Sequence, residues 1–360
     1  MTEQTGDSPS QPICLYDLDL PSLEALLESW GEPSYRAEQV WEWLYVHLVP
    51  SFDAMTNLPK GLRRKLAERA TLDVVEIVDT SRSPDGKTRK DLLRLPDGET
   101  IEAVLMEYET RRTACLSTQV GCAMGCPFCA TGQMGFQRNL SSGEIVVQAV
   151  TFARQLQNEG RRLTNVVLMG MGEPLANYDN SLAAVHRLNH PDGFRLGQRH
   201  ITLSTVGLVP KIRKLAEEEL QITLAISLHA ATDDLRDRLV PANRRYGLDA
   251  LFDACAYYAE ETGRRISFEW ALIQRVNDTS QQAHALADWL HNRMPGGLFH
   301  VNLIPLNPSP GYRGTQAAGD TVQAFAAVLD KRSIPYTIRV SRGAAIQAGC
   351  GQLRQRDRSR

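Results

Sequence analysis

From about residue 113 onward, short β-forming runs alternate with helical stretches, and this alternation restricts the fold more than any other feature of the chain. ACLST (114–118), NVVLM (165–169), HITLST (200–205), ITLAISL (222–228), ISFEWALI (266–273) and HVNLIPL (300–306) read as six buried strands. Between them EIVVQAVTFARQL, VPKIRKLAEEEL and LDALFDACAYYAEE carry apolar residues at helical spacing. Ser141-Ser142-Gly143-Glu144 offers a capping box for the first of these helices. Strands separated by helices pair in parallel, because a parallel neighbour needs a crossover of that length. The expected fold class is α/β, a partial (β/α)6 TIM-like barrel whose chemistry gathers at the C-terminal strand ends. Polar residues fall at those ends: Glu173, Ser204, Ser227-Leu228-His229 and Asn307.

Upstream the periodicity differs. LEALLESW, YRAEQVWEWLYVHL and PKGLRRKLAERA have helical spacing, with Trp41, Trp43, Leu44 and Leu48 as expected core. LDVVEIVDT, KDLLRL and ETIEAVLMEY read as strands joined by Ser83-Pro84-Asp85-Gly86 and Pro96-Asp97-Gly98 turns. The expected organisation is a disordered leader (1–14), an N-terminal helical domain (15–71), a β connector (72–112), a catalytic barrel (113–350) and a basic tail (351–360).

With 42% hydrophobic and 23% charged residues, 360 residues suffice for a full core. No apolar run approaches the ~20 residues of a membrane span, and the polar start MTEQTGDSPSQP is unlike a secretory signal. Seven cysteines, three of them clustered, do not form a disulfide framework and point to the reducing cytoplasm. The net charge of −2 does not announce a nucleic-acid binder, although phosphate contact needs only a local basic surface. Local runs exist: Lys60, Arg63, Arg64, Lys65 and Arg69; Arg195 and Arg199; Arg244 and Arg245; and the tail from Arg354 to Arg360. Each is equally suited to a solvated face.

The chemistry concentrates in GCAMGCPFCATG. Cys122, Cys126 and Cys129 present three thiolates from one loop, the ligand that iron–sulfur clusters take. Three protein ligands leave one iron open to a substrate or cofactor. A structural zinc knuckle is the alternative, but zinc sites ordinarily pair two CxxC-type hooks and no second hook is present. Some forty residues on, after the second strand, Gly170-Met171-Gly172-Glu173-Pro174 lets the backbone pass close to a ligand, and Glu173 can pair with an ammonium group. Ser204, Ser227 and Asn307 suit ribose hydroxyls and a carboxylate, and equally suit caps or turns. Cys14 and Cys255 read as inert hydrophobes. Cys350 differs, because Gly349 and Gly351 leave it on a freely folding, little-shielded loop where a thiolate can act as a nucleophile.

The cysteine spacing with GMGEP resembles the radical S-adenosylmethionine (SAM) enzymes, and the likeness extends further. YRAEQVWEWLY, SFDAMTNLPKGLRRKL, IEAVLMEY, ACLSTQVGCAMGCPFCATGQMGFQRNL, NVVLMGMGEPLANYDN, HITLSTVGLVP, LAISLHAATDDLRDRLVPANRRY, NLIPLNPSPG and SRGAAIQAGCGQL resemble, in order, the radical SAM RNA adenine methylases of the RlmN and Cfr family. The resemblance implies a [4Fe-4S] cluster on Cys122, Cys126 and Cys129, and SAM bound by Gly172, Glu173, Ser204, Ser227, Leu228, His229 and Asn307. It implies two SAM per turnover. One methylates Cys350; the other, cleaved by the cluster, gives a 5′-deoxyadenosyl radical that removes hydrogen from that methyl. The carbon radical adds to adenine, and Cys115 then attacks the sulfur of Cys350, releasing the methylated base with a transient disulfide. Glu102 matches a carboxylate assigned as proton acceptor.

Ser341-Arg342-Gly343 resembles the RlmN type, which implies carbon-2 methylation of adenine in 23S rRNA and in tRNA; Cfr-type methylation of carbon 8 is the alternative. Two departures stand out. Ala345, preceded by Ala344, stands where the family usually has an acidic residue just before the isoleucine, and Gly349 replaces an alanine, which predicts a looser methyl-carrying loop. The further expectations are a monomer, a flavodoxin- or ferredoxin-type electron donor, no membrane, and an RNA-backbone clamp at Arg63, Arg64, Lys65 and Arg69 acting on an unstacked adenine.

Overall fold

A computed structural model describes residues 12–72, 74–340 and 342–354. Most of the expected leader (1–11) and of the expected tail (355–360) lies outside the described residues. Ile13–Cys14, expected in the leader, form a short strand, β1, parallel to β2 (Ala70–Thr71). Between these strands lie α1 (Leu20–Ser29), α2 (Tyr35–Tyr45) and α3 (Lys60–Arg69). Asp19 caps α1 by accepting from the Ser22 amide (2.8 Å), and Pro21 suits the first turn. Leu23 and Leu27 on α1, Val40, Trp41 and Leu44 on α2, and Leu62 and Leu66 on α3 close the small core.

The main sheet has ten strands: β3 (Glu76–Arg82), β4 (Thr88–Arg94), β5 (Thr100–Glu107), β6 (Arg112–Cys115), β9 (Asn165–Leu168), β10 (Ile201–Thr205), β11 (Thr223–Ser227), β12 (Ile266–Leu272), β13 (Phe299–Pro305) and β14 (Tyr336–Ile338). The intervening β7 (Gln119–Gly121) and β8 (Phe136–Asn139) form a separate antiparallel pair. From β6 to β14 every pairing is parallel and follows chain order. The six expected strands are all present. A seventh, β14, follows the helix Gly319–Lys331 and was missed because it is three residues long and largely exposed.

The stretch 72–112 is no separate connector. Strands β3, β4 and β5 are antiparallel to one another and β5 pairs antiparallel with β6, so they extend the main sheet across the free edge of β6. The sheet stays open, with β14 and β3 at its edges. The helices Ser142–Asn158, Tyr178–Asn189, Val209–Ala216, Leu248–Thr262 and Ser280–Arg293 join the parallel strands, and the first carries the expected capping box. Ser141 Oγ accepts from the Glu144 amide (3.1 Å), and Glu144 Oε2 from the Ser141 amide (2.9 Å).

The helical domain docks onto the barrel through hydrogen bonds as well as packing. Asp17 Oδ1 accepts from the Gly143 amide (2.6 Å) at the start of the helix Ser142–Asn158, where an anion is favoured. A Cβ at Gly143 would lie 2.9 Å from the Asp17 amide nitrogen, so a glycine is needed there. Arg187 donates to the Asp17 and Leu18 carbonyls, and Arg154 to those of Leu48 and Val49. The basic run on α3 is partly consumed internally: Lys65 donates to the Trp30 carbonyl and to Glu32, and Arg63 to the Asp53 carbonyl. Lys60, Arg64 and Arg69 remain exposed. Among the described residues no helix is long and apolar enough to cross a membrane.

Candidate active site

At the C-terminal ends of the parallel strands lies one cavity. Its walls include Cys122, Cys126, Cys129, Gly172, Glu173, Ser204, Ser227, His229, Asn307 and Cys350, which are ten of the residues picked out from sequence. Leu228 is the exception within its tripeptide: its side chain is fully buried in the core, and only its backbone, with the amide donating to the Glu269 carbonyl (3.1 Å), faces the strand end.

The cluster loop follows β7. Gly121 has φ +74° and a Cβ there would sit 2.0 Å from the Gly135 carbonyl oxygen, so the loop can leave the strand only at a glycine. Burial raises the Cys122 thiol to about 12 and raises Cys126 further; Cys129 is half-buried. Thiols held this far from ionising need a cation to become thiolate ligands. Among the described residues, no three His, Cys, Asp or Glu side chains converge as a single metal ion would require. Three sulfurs lining one cavity suit a cluster whose irons are separately ligated.

The Gly170–Pro174 turn is built against the loop after β6. Met171 O accepts from the Thr118 amide (2.8 Å), Ser117 Oγ accepts from the Met171 amide (2.8 Å), and a Cβ at Gly172 (φ +102°) would lie 2.6 Å from Gln119 Cβ. This close packing explains both glycines. Glu173 is buried, its Oε1 accepting from the Leu175 amide (3.1 Å) and Oε2 from the Val206 amide (2.9 Å). Burial outweighs these bonds and pushes its carboxyl up to about 7. His229 is driven the other way, to about 3, by burial and then by the nearby Arg236 charge, so it is neutral. The Ala271 amide donates to its Nδ1 (3.0 Å), which fixes the proton on Nε2.

Cys350 projects from the segment 343–354, which folds over the cavity. Its thiol is accessible from the cavity, while surrounding protein, followed by the Glu269 carboxylate, raises its pKa. Asn307 Nδ2 donates to the Cys350 carbonyl (3.1 Å). A Cβ at Gly349 would lie 2.6 Å from that same Nδ2, so a glycine here makes room for this bond. Gly351 O accepts from the Ala130 amide (2.8 Å) and Leu353 O from the Thr131 hydroxyl (2.6 Å), tying the segment to the end of the cluster loop. Cys115 ends β6 beneath it, and burial, then the proximity of Cys350, raises its thiol. Glu102 does not line the cavity; it is buried in β5 in an ion pair with Lys90 (2.9 Å).

Two residues were missed from sequence. Glu269 lines the cavity, its Oε1 accepting from Ser267 Oγ and Asn302 Nδ2 (both 2.7 Å), and burial raises its pKa. Alternation in β12 carried that signal, since Ser267, Glu269 and Ala271 share a face opposite Phe268 and Trp270. Arg236, only 1% exposed, donates to the carbonyls of Val206 (2.6 Å), Ser227 (3.2 Å) and Leu228 (3.1 Å), stitching the ends of β10 and β11.

Residues 13–72 match the family described as the ribosomal RNA large subunit methyltransferase N-terminal domain, and residues 116–286 match the radical SAM superfamily. A probable dual-specificity RNA methyltransferase RlmN of Chloroflexus aurantiacus is 51% identical over 347 residues, covering 94% of this chain and 92% of the relative. The dual-specificity RNA methyltransferase RlmN 1 of Myxococcus xanthus is 52% identical over 340 residues, covering 94% of each. A crystal structure of a radical SAM methyltransferase from Sphaerobacter thermophilus superposes with a TM-score of 0.92 at 50% identity, over 95% of this chain and 99% of that one. The chain belongs to the RlmN family of radical SAM RNA methyltransferases.

Proposed function

We propose that this enzyme methylates carbon 2 of adenine, in the peptidyl transferase centre of 23S rRNA and at the adenosine 3′ of the tRNA anticodon, by a relay through Cys350. The observation that carries this reading is the Cys350 thiol, open to the cavity that Cys122, Cys126 and Cys129 line, with Cys115 close beneath. Cys122, Cys126 and Cys129 hold the [4Fe-4S] cluster, which with SAM supplies the one-electron chemistry. Gly172 lets SAM approach the backbone, Glu173 holds its ammonium, and Ser204, Ser227, Asn307 and the strand end at Leu228-His229 take its remaining polar groups. Cys350 carries the methyl group to the base, and Cys115 pairs with it in a transient disulfide that frees the product. The other partners are a flavodoxin- or ferredoxin-type electron donor, and the enzyme works as a monomer using two SAM per turnover.

The experiment is nucleoside analysis of RNA from cells lacking and then regaining this enzyme, by mass and chromatography against both methyladenosine standards. Appearance of 2-methyladenosine in 23S rRNA and tRNA is the expected result. An 8-methyladenosine product, or no methylated adenine, overturns the assignment to carbon 2.

A further inference from the structure

A buried ion pair lies behind the Cys350 segment. Lys90 on β4 and Glu102 on β5 are diagonal neighbours, since Lys90 pairs with Val104 and Leu92 with Glu102. Val104 in turn pairs with Cys115, so the ion pair and Cys115 share one face of the sheet, the face beneath the segment. The two charged side chains are only 3% and 1% exposed, with Lys90 Nζ 2.9 Å from Glu102 Oε1.

Each partner also holds the segment. Lys90 Nζ donates to the Gln347 carbonyl (3.0 Å), and Glu102 Oε2 accepts from the Arg354 amide (3.0 Å). These contacts fall three residues before and four residues after Cys350. Glu102 is itself fixed: its carbonyl accepts from Ser117 Oγ (2.7 Å), the hydroxyl that also accepts from the Met171 amide in the Gly170–Pro174 turn. One ion pair therefore links the Cys350 segment to the turn that carries Glu173. A buried pair of this kind contributes little net stability, because desolvation offsets the Coulomb attraction, so what it adds is a specified geometry.

We propose that Lys90 and Glu102 are positioning residues that clamp the Cys350 segment from both flanks and so set the depth of its thiol in the cavity. The proposal rests on the reading of Cys350 as methyl carrier. It gives Glu102 a role distinct from proton transfer to substrate, consistent with a carboxylate that lies outside the cavity wall, one oxygen ion-paired with Lys90 and the other accepting from the Arg354 amide.

Hydrogen–deuterium exchange of the full-length protein tests it. Single neutralisation leaves one buried charge unpaired, so the main variant is Lys90→Met/Glu102→Met, which removes both charges and keeps volume. Amides of residues 347–354 should exchange about tenfold faster or more, with those of the helix Ser142–Asn158 unchanged. Lys90→Arg, which retains the charge, should keep most of the protection. Methylation of Cys350 by SAM, read by intact mass, should slow in parallel with the loss of protection. Unchanged exchange in 347–354, or an equal rise throughout the sheet, overturns the clamp. Absence of methyl on wild-type Cys350 counts against the carrier reading alone, because the exchange result needs no methyl chemistry.

Discussion

The cavity is bounded by two loops of opposite construction. The cluster loop, residues 122–129, is continuous with a β7–β8 pair that is local in the chain, and its three cysteines lie within eight residues. The Cys350 segment has only a short 3-10 turn at Ala344–Ile346 and a Gly349–Gln352 turn as local structure, and is held by partners distant in sequence: Lys90, Glu102, Ala130, Thr131 and Asn307. In the proposed reading the first loop holds a rigid cofactor. In the proposed relay the second presents a group to two successive partners, and tethers from β4, β5, the end of the cluster loop and Asn307 place it without fixing its backbone in a ladder.

The contrast is broken most severely at the cysteines. Cys126→Ala and Cys350→Ala should each lower RNA methylation by at least about a thousandfold, since in the proposed relay each is an obligatory covalent participant. They should differ in the visible absorbance of the anaerobically reconstituted protein, lost or much reduced in the first and retained in the second. Equal loss of absorbance would mean that the two loops are one unit. Arg236→Leu comes next. It strips three strand-end carbonyls of a charged donor and should cost about 3 kcal/mol in chemical denaturation, because hydrogen bonds from charged groups are the strong ones.

The Glu173 carboxyl sharpens the comparison through pH. Its pKa of about 7 in the folded chain lies above the ordinary value of 4.5, so the folded state holds that proton more tightly than the unfolded state. Stability of the cofactor-free chain from this group therefore falls as pH rises from 4.5 through 7. SAM affinity should run the other way: the ammonium needs the carboxylate, so binding weakens about tenfold per pH unit below 7 and levels off above it. Calorimetry across this range checks the slope, and Glu173→Gln should flatten it. The smallest effect is expected for Gly349→Ala. The added Cβ displaces the mobile ends of Asn307 and Gln352 at a cost of roughly 1 kcal/mol or less, but it breaks the Asn307–Cys350 bond and should slow Cys350 methylation.

The same contrast explains what the sequence revealed. The six strands, the capping box and the cluster loop are local patterns, readable from spacing and alternation. Ser204, Ser227, His229 and Asn307 followed from their place at strand ends, a rule of the fold rather than of any contact. Glu269 was legible in the alternation of β12, yet one carboxylate inside an apolar run reads first as an edge. Lys90 and Arg236 gave no local signal, because their roles consist of bonds to carbonyls distant in the chain. The stretch 72–112 was read correctly as strands and wrongly as a connector, since nothing in it specifies pairing with β6. The three-residue β14 lay below the length at which alternation can be recognised.

Intact mass of the anaerobically purified protein beside its Cys350→Ala variant, with digestion to locate any modification, tests the central claim most directly. The account predicts a methyl group or trapped RNA on wild-type Cys350, absent from the variant and increased by Cys115→Ala. An unmodified Cys350, even after incubation with SAM and reductant, would contradict the relay.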